Sequence, residues 1–124
     1  MSTVTFRDET PTGREIARFS LPDLPTTATA RELIRWRVRE EVAKHNLKPG
    51  QPYGGLVQPP RTEVELKRRL LDWERQAAIA ERAFTRNGFF LMVGDRQIEE
   101  LDELVDLTGD PEISFVRLVA LVGG

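Results

Sequence analysis

The sequence contains no cysteine and a single histidine, His45. Without thiols the chain has no disulfide framework, no thiolate metal site and no thiol nucleophile. One histidine cannot form a metal cluster or a His-based catalytic relay within the chain. The three serines (Ser2, Ser20 and Ser114) lie outside any nucleophile-elbow pattern, and no glycine-rich stretch matches a phosphate-binding fingerprint. We therefore expect a protein that is not an enzyme and has no catalytic residues, metal site or cofactor of its own.

A strong net charge and long apolar runs are missing as well. The formal net charge is −2, which argues against a basic surface that follows nucleic-acid phosphates. No run approaches the ~20 apolar residues of a membrane span, and the first residues lack the layout of a signal peptide. These absences predict a soluble, cytoplasmic protein that binds neither nucleic acid nor membranes. The length of 124 residues suits one domain over 1–124.

The N-terminal third has the pattern of a β-hairpin followed by a helix. Val4–Phe6 and Ile16–Leu21 alternate apolar and polar residues, and turn-forming residues lie between them. One residue of the second segment is out of phase, which is consistent with a bulge. Pro22 and Pro25 are expected to end that strand and lead the chain to the helix. Thr29 and Glu32 have capping-box spacing at the start of a helix over 29–46.

The middle of the chain combines a connector with a long helical pattern. Residues 47–60 are rich in proline and glycine and predict irregular structure. A second capping box opens an apolar stripe that predicts a helix over 62–86, in which Trp73 is followed by small alanines. Two interpretations stay open: the stripe packs on the core, or it docks a partner or a second copy of the chain.

The last third is an ordered series of short elements. Phe89–Val93 reads as a buried strand, and Gly94-Asp95 as a turn. Leu101, Leu104 and Leu107 have the three-residue spacing of a short helix. A final apolar strand over 113–122 follows, and then Gly123 and Gly124. Neither glycine has a side chain to bury, so the pair predicts a thin, flexible carboxylate end.

This order of elements resembles ubiquitin and its bacterial relatives. The resemblance is close over about the last 36 residues and looser over 3–46. It implies an α+β fold of the β-grasp type, a mixed sheet packed on a helix, with the first and last strands as parallel neighbours. Residues 47–87 have no counterpart in ubiquitin, so they form an insertion that carries the extra helix 62–86. The resemblance also implies a flexible tail over 120–124.

The same resemblance implies that the chain is a protein modifier. In the family an activating enzyme adenylates the terminal carboxylate, here that of Gly124, and the acyl group then passes to an amine on a target protein. Gly123 and Gly124 would thread the narrow sites of the activating enzyme, the conjugating enzyme and the deconjugating peptidase. Such proteins occur in bacterial ubiquitination-like pathways, some of which act in antiphage defence.

The resemblance also suggests residues that bind these partners. The segment before the glycines would form the arm, and Met92 falls where ubiquitin has an apolar surface patch. The arm residues are Leu118, Val119, Ala120, Leu121 and Val122. Ubiquitin has arginines in this arm, and the apolar character found here points to a dedicated activating enzyme. Trp73 is the candidate contact on the extra helix, where self-association is a further possibility.

Two alternative functions share the same expected fold. A sulfur carrier would bear a terminal thiocarboxylate on the same Gly-Gly end, although such carriers are short and an insertion over 47–87 is unexpected for them. A β-grasp interaction domain would never be activated at its tail. The neighbouring genes would separate the three interpretations. Genes for conjugating and deconjugating enzymes would support the modifier, genes for cofactor synthases would support the sulfur carrier, and neither kind would support the interaction domain.

Overall fold

A computed structural model describes residues 1–47, 55–57 and 71–118 of the chain. Within these ranges the fold is mixed α+β, with a five-stranded mixed sheet, a two-stranded sheet and two helices. The strands are β1 (Ser2–Glu9), β2 (Glu15–Leu24), β3 (Thr27–Thr29), β4 (Phe89–Val93), β5 (Arg96–Ile98), β6 (Leu104–Asp106) and β7 (Glu112–Arg117). The helices are α1 (Ala30–Leu47) and α2 (Trp73–Thr85). This architecture is compatible with the expected β-grasp.

The five-stranded sheet has the order β2-β1-β7-β4-β5. β1 runs antiparallel to β2 and parallel to β7, with Phe6 opposite Ile113 in the parallel register. β4 is antiparallel to both β7 and β5. The prediction that the N-terminal and C-terminal strands are parallel neighbours is confirmed. Because β7 pairs on both sides, the last strand lies at the centre of the sheet.

The predicted hairpin is present, and its irregular residue is a bulge. Asp8 lies opposite Ala17 and Glu9 opposite Glu15, so Ile16 is the extra residue on β2. The strand continues past Pro22 and ends at Leu24, directly before Pro25, so the predicted end is wrong at Pro22 and is confirmed at Pro25. β2 is an edge strand. A proline is tolerated there because the side that lacks an N–H can face solvent, so no hydrogen bond between strands is lost.

The capping box at the start of α1 is confirmed in both directions. The backbone N–H of Glu32 donates to Oγ1 of Thr29 at 3.2 Å, and the N–H of Thr29 donates to Oε1 of Glu32 at 3.0 Å. The apolar face that follows, with Leu33, Ile34 and Val38, is fully buried against the sheet. The cap therefore fixes the point at which the chain turns from β3 into the core helix.

The prediction of one helix over 62–86 is wrong at its N-terminal side. Leu71 and Asp72 are not helical, and Asp72 is the N-cap, with its carboxylate accepting from the N–H of Glu74 at 3.1 Å. The aspartate side chain accepts from an N–H of the first helical turn, so the helix starts at Trp73. Residues 62–70 lie outside the described residues.

The short helix expected from Leu101, Leu104 and Leu107 is also wrong. The N–H of Glu103 donates to the carbonyl of Glu100 at 3.2 Å, which makes a turn. The chain then forms β6, antiparallel to β3. Three-residue spacing over so short a window does not separate a helical turn from a turn followed by a strand. Pairing with β3 decides between the two.

Aromatic rings join the layers of the core. Phe115 of β7 lies between Phe6 and Phe89, with ring centroids 5.9 Å and 6.0 Å away. Phe84 of α2 contacts Phe89 at 5.7 Å. None of the helices in the described ranges is long and apolar enough to cross a membrane.

The capping box supplies the first testable prediction. Thr29→Ala should lower the free energy of unfolding by about 1 kcal/mol, because one N–H of the first helical turn loses its side-chain acceptor. Urea denaturation measures the change. Thr26→Ala is the matched control: Thr26 is exposed and its carbonyl accepts from Leu107, a bond that the substitution retains. Equal stability of the two variants would contradict the capping role.

Candidate functional site

The predicted conjugation site lies mostly beyond the described part of the chain. Gly123 and Gly124, together with arm residues 119–122, are outside the described residues. Leu118 is described and is 36% exposed. It follows Arg117, the last residue of the central strand β7. The structure therefore places the last residue of β7 directly before the predicted arm.

Met92 lies on the face of the sheet opposite the helices. It is half-buried and stands opposite Ser114 of β7 and Gln97 of β5. On the same face Phe90 is paired with Val116, and both are half-buried. Side chains directly opposite in neighbouring strands share one face. The structure thus brings Met92 together with Phe90 and Val116 in an outer-face patch, defined here by these three residues.

A charged network lies on the same face, towards β2. Arg7 Nε is 2.8 Å and Arg18 Nη2 is 2.7 Å from Oε1 of Glu15. Glu112 lies 3.5 Å from each of the two arginines. The guanidinium of Arg18, and after it that of Arg7, lowers the pKa of the Glu15 carboxyl. These exposed pairs add little stability, but they give the surface beside the patch a fixed arrangement of charge.

Trp73 is half-buried at the first turn of α2. The guanidinium carbons of Arg35 and Arg39 on α1 lie 5.0 Å and 5.6 Å from the centre of its ring. Further along the predicted stripe, Ala77 and Phe84 are buried in the core of the same chain. The described part of the stripe therefore packs on α1 and β4, as the core interpretation expected.

A buried ion-pair cluster was not predicted. Arg37 of α1 is 2% exposed, and its Nη2 donates to Oδ2 of Asp8 at 2.6 Å. Its Nε donates to Glu41, and its guanidinium stacks over the ring of Phe115 at 4.3 Å. Burial alone would lower the pKa of Arg37, but the charges of Glu41 and Asp8 outweigh burial and raise it. Arg37 is therefore a charged residue inside the core.

A three-residue part of the insertion, loop 55–57, is attached to this cluster. Leu56 and Val57 are fully buried. Three backbone groups of the loop are hydrogen-bonded to side chains of three elements. The pairs are the Gly55 carbonyl with Arg117 of β7 at 3.1 Å, the Leu56 N–H with Glu41 of α1 at 2.8 Å, and the Val57 carbonyl with Gln76 of α2. The loop thus joins both helices to the last strand.

The sequence carried a signal for the cluster. Arg37 follows Leu33 by four residues, so it falls on the apolar face of α1. Asp8 is in phase with Val4 and Phe6, the core-facing positions of β1. A charged residue at a core position of each element indicates a buried pair. Across the described ranges, no group of three potential metal-ligating side chains could hold an ion.

No protein-family model matches this chain, and no curated protein or solved structure matches it either.

The cluster makes a clear prediction for stability. Arg37→Met should cost about 3–5 kcal/mol, because Asp8 and Glu41 keep their charges in the core without the cation between them. Arg39→Met is the control on the same helix; it is exposed and loses one contact with Trp73, so its cost stays below about 1 kcal/mol. Denaturant unfolding of the two variants measures the difference. Similar midpoints would contradict the account of the cluster.

Trp73 allows the two interpretations of the stripe to be separated. The ring of Trp73 is half-buried under two arginines. Trp73→Ala should therefore lower the free energy of unfolding by about 2 kcal/mol, whereas truncation of a fully buried aromatic residue costs about 3–5 kcal/mol. Thermal melting and light scattering after size exclusion would be run on the same samples. An unchanged melting temperature together with loss of a dimer would instead assign Trp73 to self-association.

Proposed function

We propose that this chain is a ubiquitin-like modifier with a β-grasp fold, activated at the carboxylate of Gly124 and joined to amines of target proteins. The observation that carries the proposal is the position of β7. β7 is central, parallel to β1 and antiparallel to β4, and five residues, 118–122, connect it in the sequence to Gly-Gly. The strand order and the packing of α1 on one face of the sheet support the β-grasp assignment.

The described core lies in residues before Leu118. Ile113 and Phe115 of β7 are fully buried, and no residue of the described core follows them. Neither Gly123 nor Gly124 has a side chain to bury, which supports an end that enters the site of another protein. The proposal takes Gly124 as the reactive residue, whether it is encoded last or exposed by a peptidase.

Activation is needed because a carboxylate is a poor electrophile at neutral pH. An oxygen of the Gly124 carboxylate attacks the α-phosphorus of ATP, pyrophosphate leaves, and an acyl adenylate forms. An amine then attacks the acyl carbon, AMP leaves with the bonding electron pair, and the amine loses a proton. The product is an amide or isopeptide bond, and its formation removes one water in total from the modifier and its target.

The enzymes supply the catalytic groups, and this chain supplies binding surfaces. Gly123 and Gly124 fit a narrow channel because neither has a β-carbon. Leu118 and residues 119–122 form an apolar arm, which suits a dedicated activating enzyme. The outer-face patch, which includes Met92, lies on the sheet from which the arm starts, and these enzymes or a deconjugating peptidase would bind it. A bacterial conjugation pathway of the kind that acts in antiphage defence is the proposed setting.

Removal of one residue tests the proposal. The chain would be incubated with ATP and the activating enzyme encoded beside its gene, and the products would be examined by intact mass. We expect a mass increase on the enzyme or on a target equal to the chain less one water. Deletion of Gly124 should abolish the transfer and leave the melting temperature unchanged, since a glycine has no side chain to contribute to the core.

Two other outcomes would contradict the proposal. A mass change on the free chain that corresponds to sulfur replacing oxygen would indicate a sulfur carrier. If the enzyme is active on a control substrate but does not modify this chain, the remaining interpretation is a β-grasp interaction domain.

The substitution Gly124→Ala gives a useful third sample, because it keeps the length of the arm and adds one methyl group at the reactive end.

A further inference from the structure

Loop 55–57 and the buried cluster meet the last strand at its final residue. Arg117 ends β7 and lies opposite Phe89 at the last position of the β4–β7 ladder. The next residue, Leu118, is exposed. The residue through which the chain leaves the sheet is therefore also the residue that contacts the loop.

The guanidinium of Arg117 is held on two sides. Its Nη2 donates to the Gly55 carbonyl at 3.1 Å, and its Nη1 lies 3.5 Å from Oδ2 of Asp8. Asp8 is held in place by the buried Arg37 at 2.6 Å. The planar guanidinium presents several donors in a fixed geometry, so two acceptors at different positions orient it. A lysine at this position could not be oriented in this way.

The loop is a firm attachment point. Leu56 and Val57 are 0% and 1% exposed, so displacing the loop would uncover apolar surface. Two further polar contacts of the loop, to Glu41 and Gln76, come from the two helices. Arg117 is thus joined to a loop that is itself fixed by both helices.

We propose that Arg117 is a positioning residue, which joins loop 55–57 to the end of β7 and so sets where residues 118–124 leave the sheet. This inference rests on the proposed function, because the positioned segment is the arm that carries Gly124. An arm whose base is already ordered loses less conformational entropy when an activating enzyme binds it. The insertion, which has no counterpart in ubiquitin, then contributes to recognition through the position of the arm.

The first test measures positioning without any enzyme. In Arg117→Met the amide of Leu56 should exchange its hydrogen about tenfold faster, as expected when one charge-assisted hydrogen bond to the loop is lost. The backbone order parameter of Leu118, measured by nitrogen-15 relaxation, should fall. Arg14→Met is the matched control, because Arg14 is exposed in the turn between β1 and β2. Unchanged values for Leu56 and Leu118 would overturn the inference.

The second test measures the consequence for activation. Pyrophosphate exchange by the activating enzyme gives KM and kcat with this chain as the substrate. For Arg117→Met we expect KM to rise about five- to tenfold and kcat at saturation to stay within about twofold, the pattern of lost binding with unchanged chemistry. A fall in kcat with KM unchanged would overturn the positioning role.

A second variant separates positioning from simple loss of stability. Gln76 of α2 donates to the carbonyl of Val57, at the opposite end of the loop from the contact with Arg117. Gln76→Met removes this donor. If the loop sets the exit of the arm, this variant also lowers the order parameter of Leu118 and raises KM. It serves the same purpose if Arg117→Met fails to fold. Unchanged Leu118 order in Gln76→Met would contradict a role for the loop.

The two proposals fail in different ways. If the wild-type chain is not adenylated but Leu118 loses order in both variants, the proposed function is wrong and the positioning role of Arg117 is supported. If the wild-type chain is adenylated and Leu118 keeps its order in both variants, the modifier function stands and the positioning role is wrong.

Discussion

A buried guanidinium needs anions close to it, and this need organises the contacts between the helices and the sheet. Arg37 extends from α1 into the core, where Asp8 of β1 and Glu41 of its own helix balance its charge. Its stacking on Phe115 brings the central strand into the same cluster. The position of α1 relative to β1 and β7 is therefore set by directional contacts as well as by apolar packing, and loop 55–57 attaches to Glu41 of the same cluster.

In this arrangement the described core precedes the proposed reactive end along the chain. The central strand β7 pairs with a strand on each edge and packs against aromatic rings on its core face, and every residue of the described core lies before Leu118. A modifier needs both properties, since its end must enter enzymes and its body must keep its shape. The outer-face patch around Met92 and the base of the arm at Arg117 lie on neighbouring strands of one sheet. Under the proposed function, an enzyme that bound the patch would meet an arm that starts from a defined residue.

Local signals made some elements predictable from the sequence. The capping box of Thr29 and Glu32 depends only on residues three apart, and the bulge at Ile16 appears as a break in alternation. The features that were missed depend on distant partners. Leu104 is in a strand because β3 pairs with its segment, which spacing within seven residues, 101–107, does not reveal. The buried Arg37 was readable only by comparing its position on the helix face with the core phase of β1. The proposed conjugation residues were predicted from the resemblance, since the groups that would act on them belong to other proteins.

The central claim is that Gly124 becomes covalently attached to target amines, and digestion of a proteome with trypsin tests it most directly. Trypsin cuts after Arg117, so each modified lysine would retain the seven residues 118–124, Leu-Val-Ala-Leu-Val-Gly-Gly, on its side chain. Mass spectrometry of peptides from cells that produce the chain with its neighbouring enzymes should find this remnant on lysines, and cells that produce the chain without Gly124 should lack it. The contradicting result is that no peptide carries the remnant although both the free chain and the enzymes are abundant. In that case the chain is not a modifier of lysine side chains.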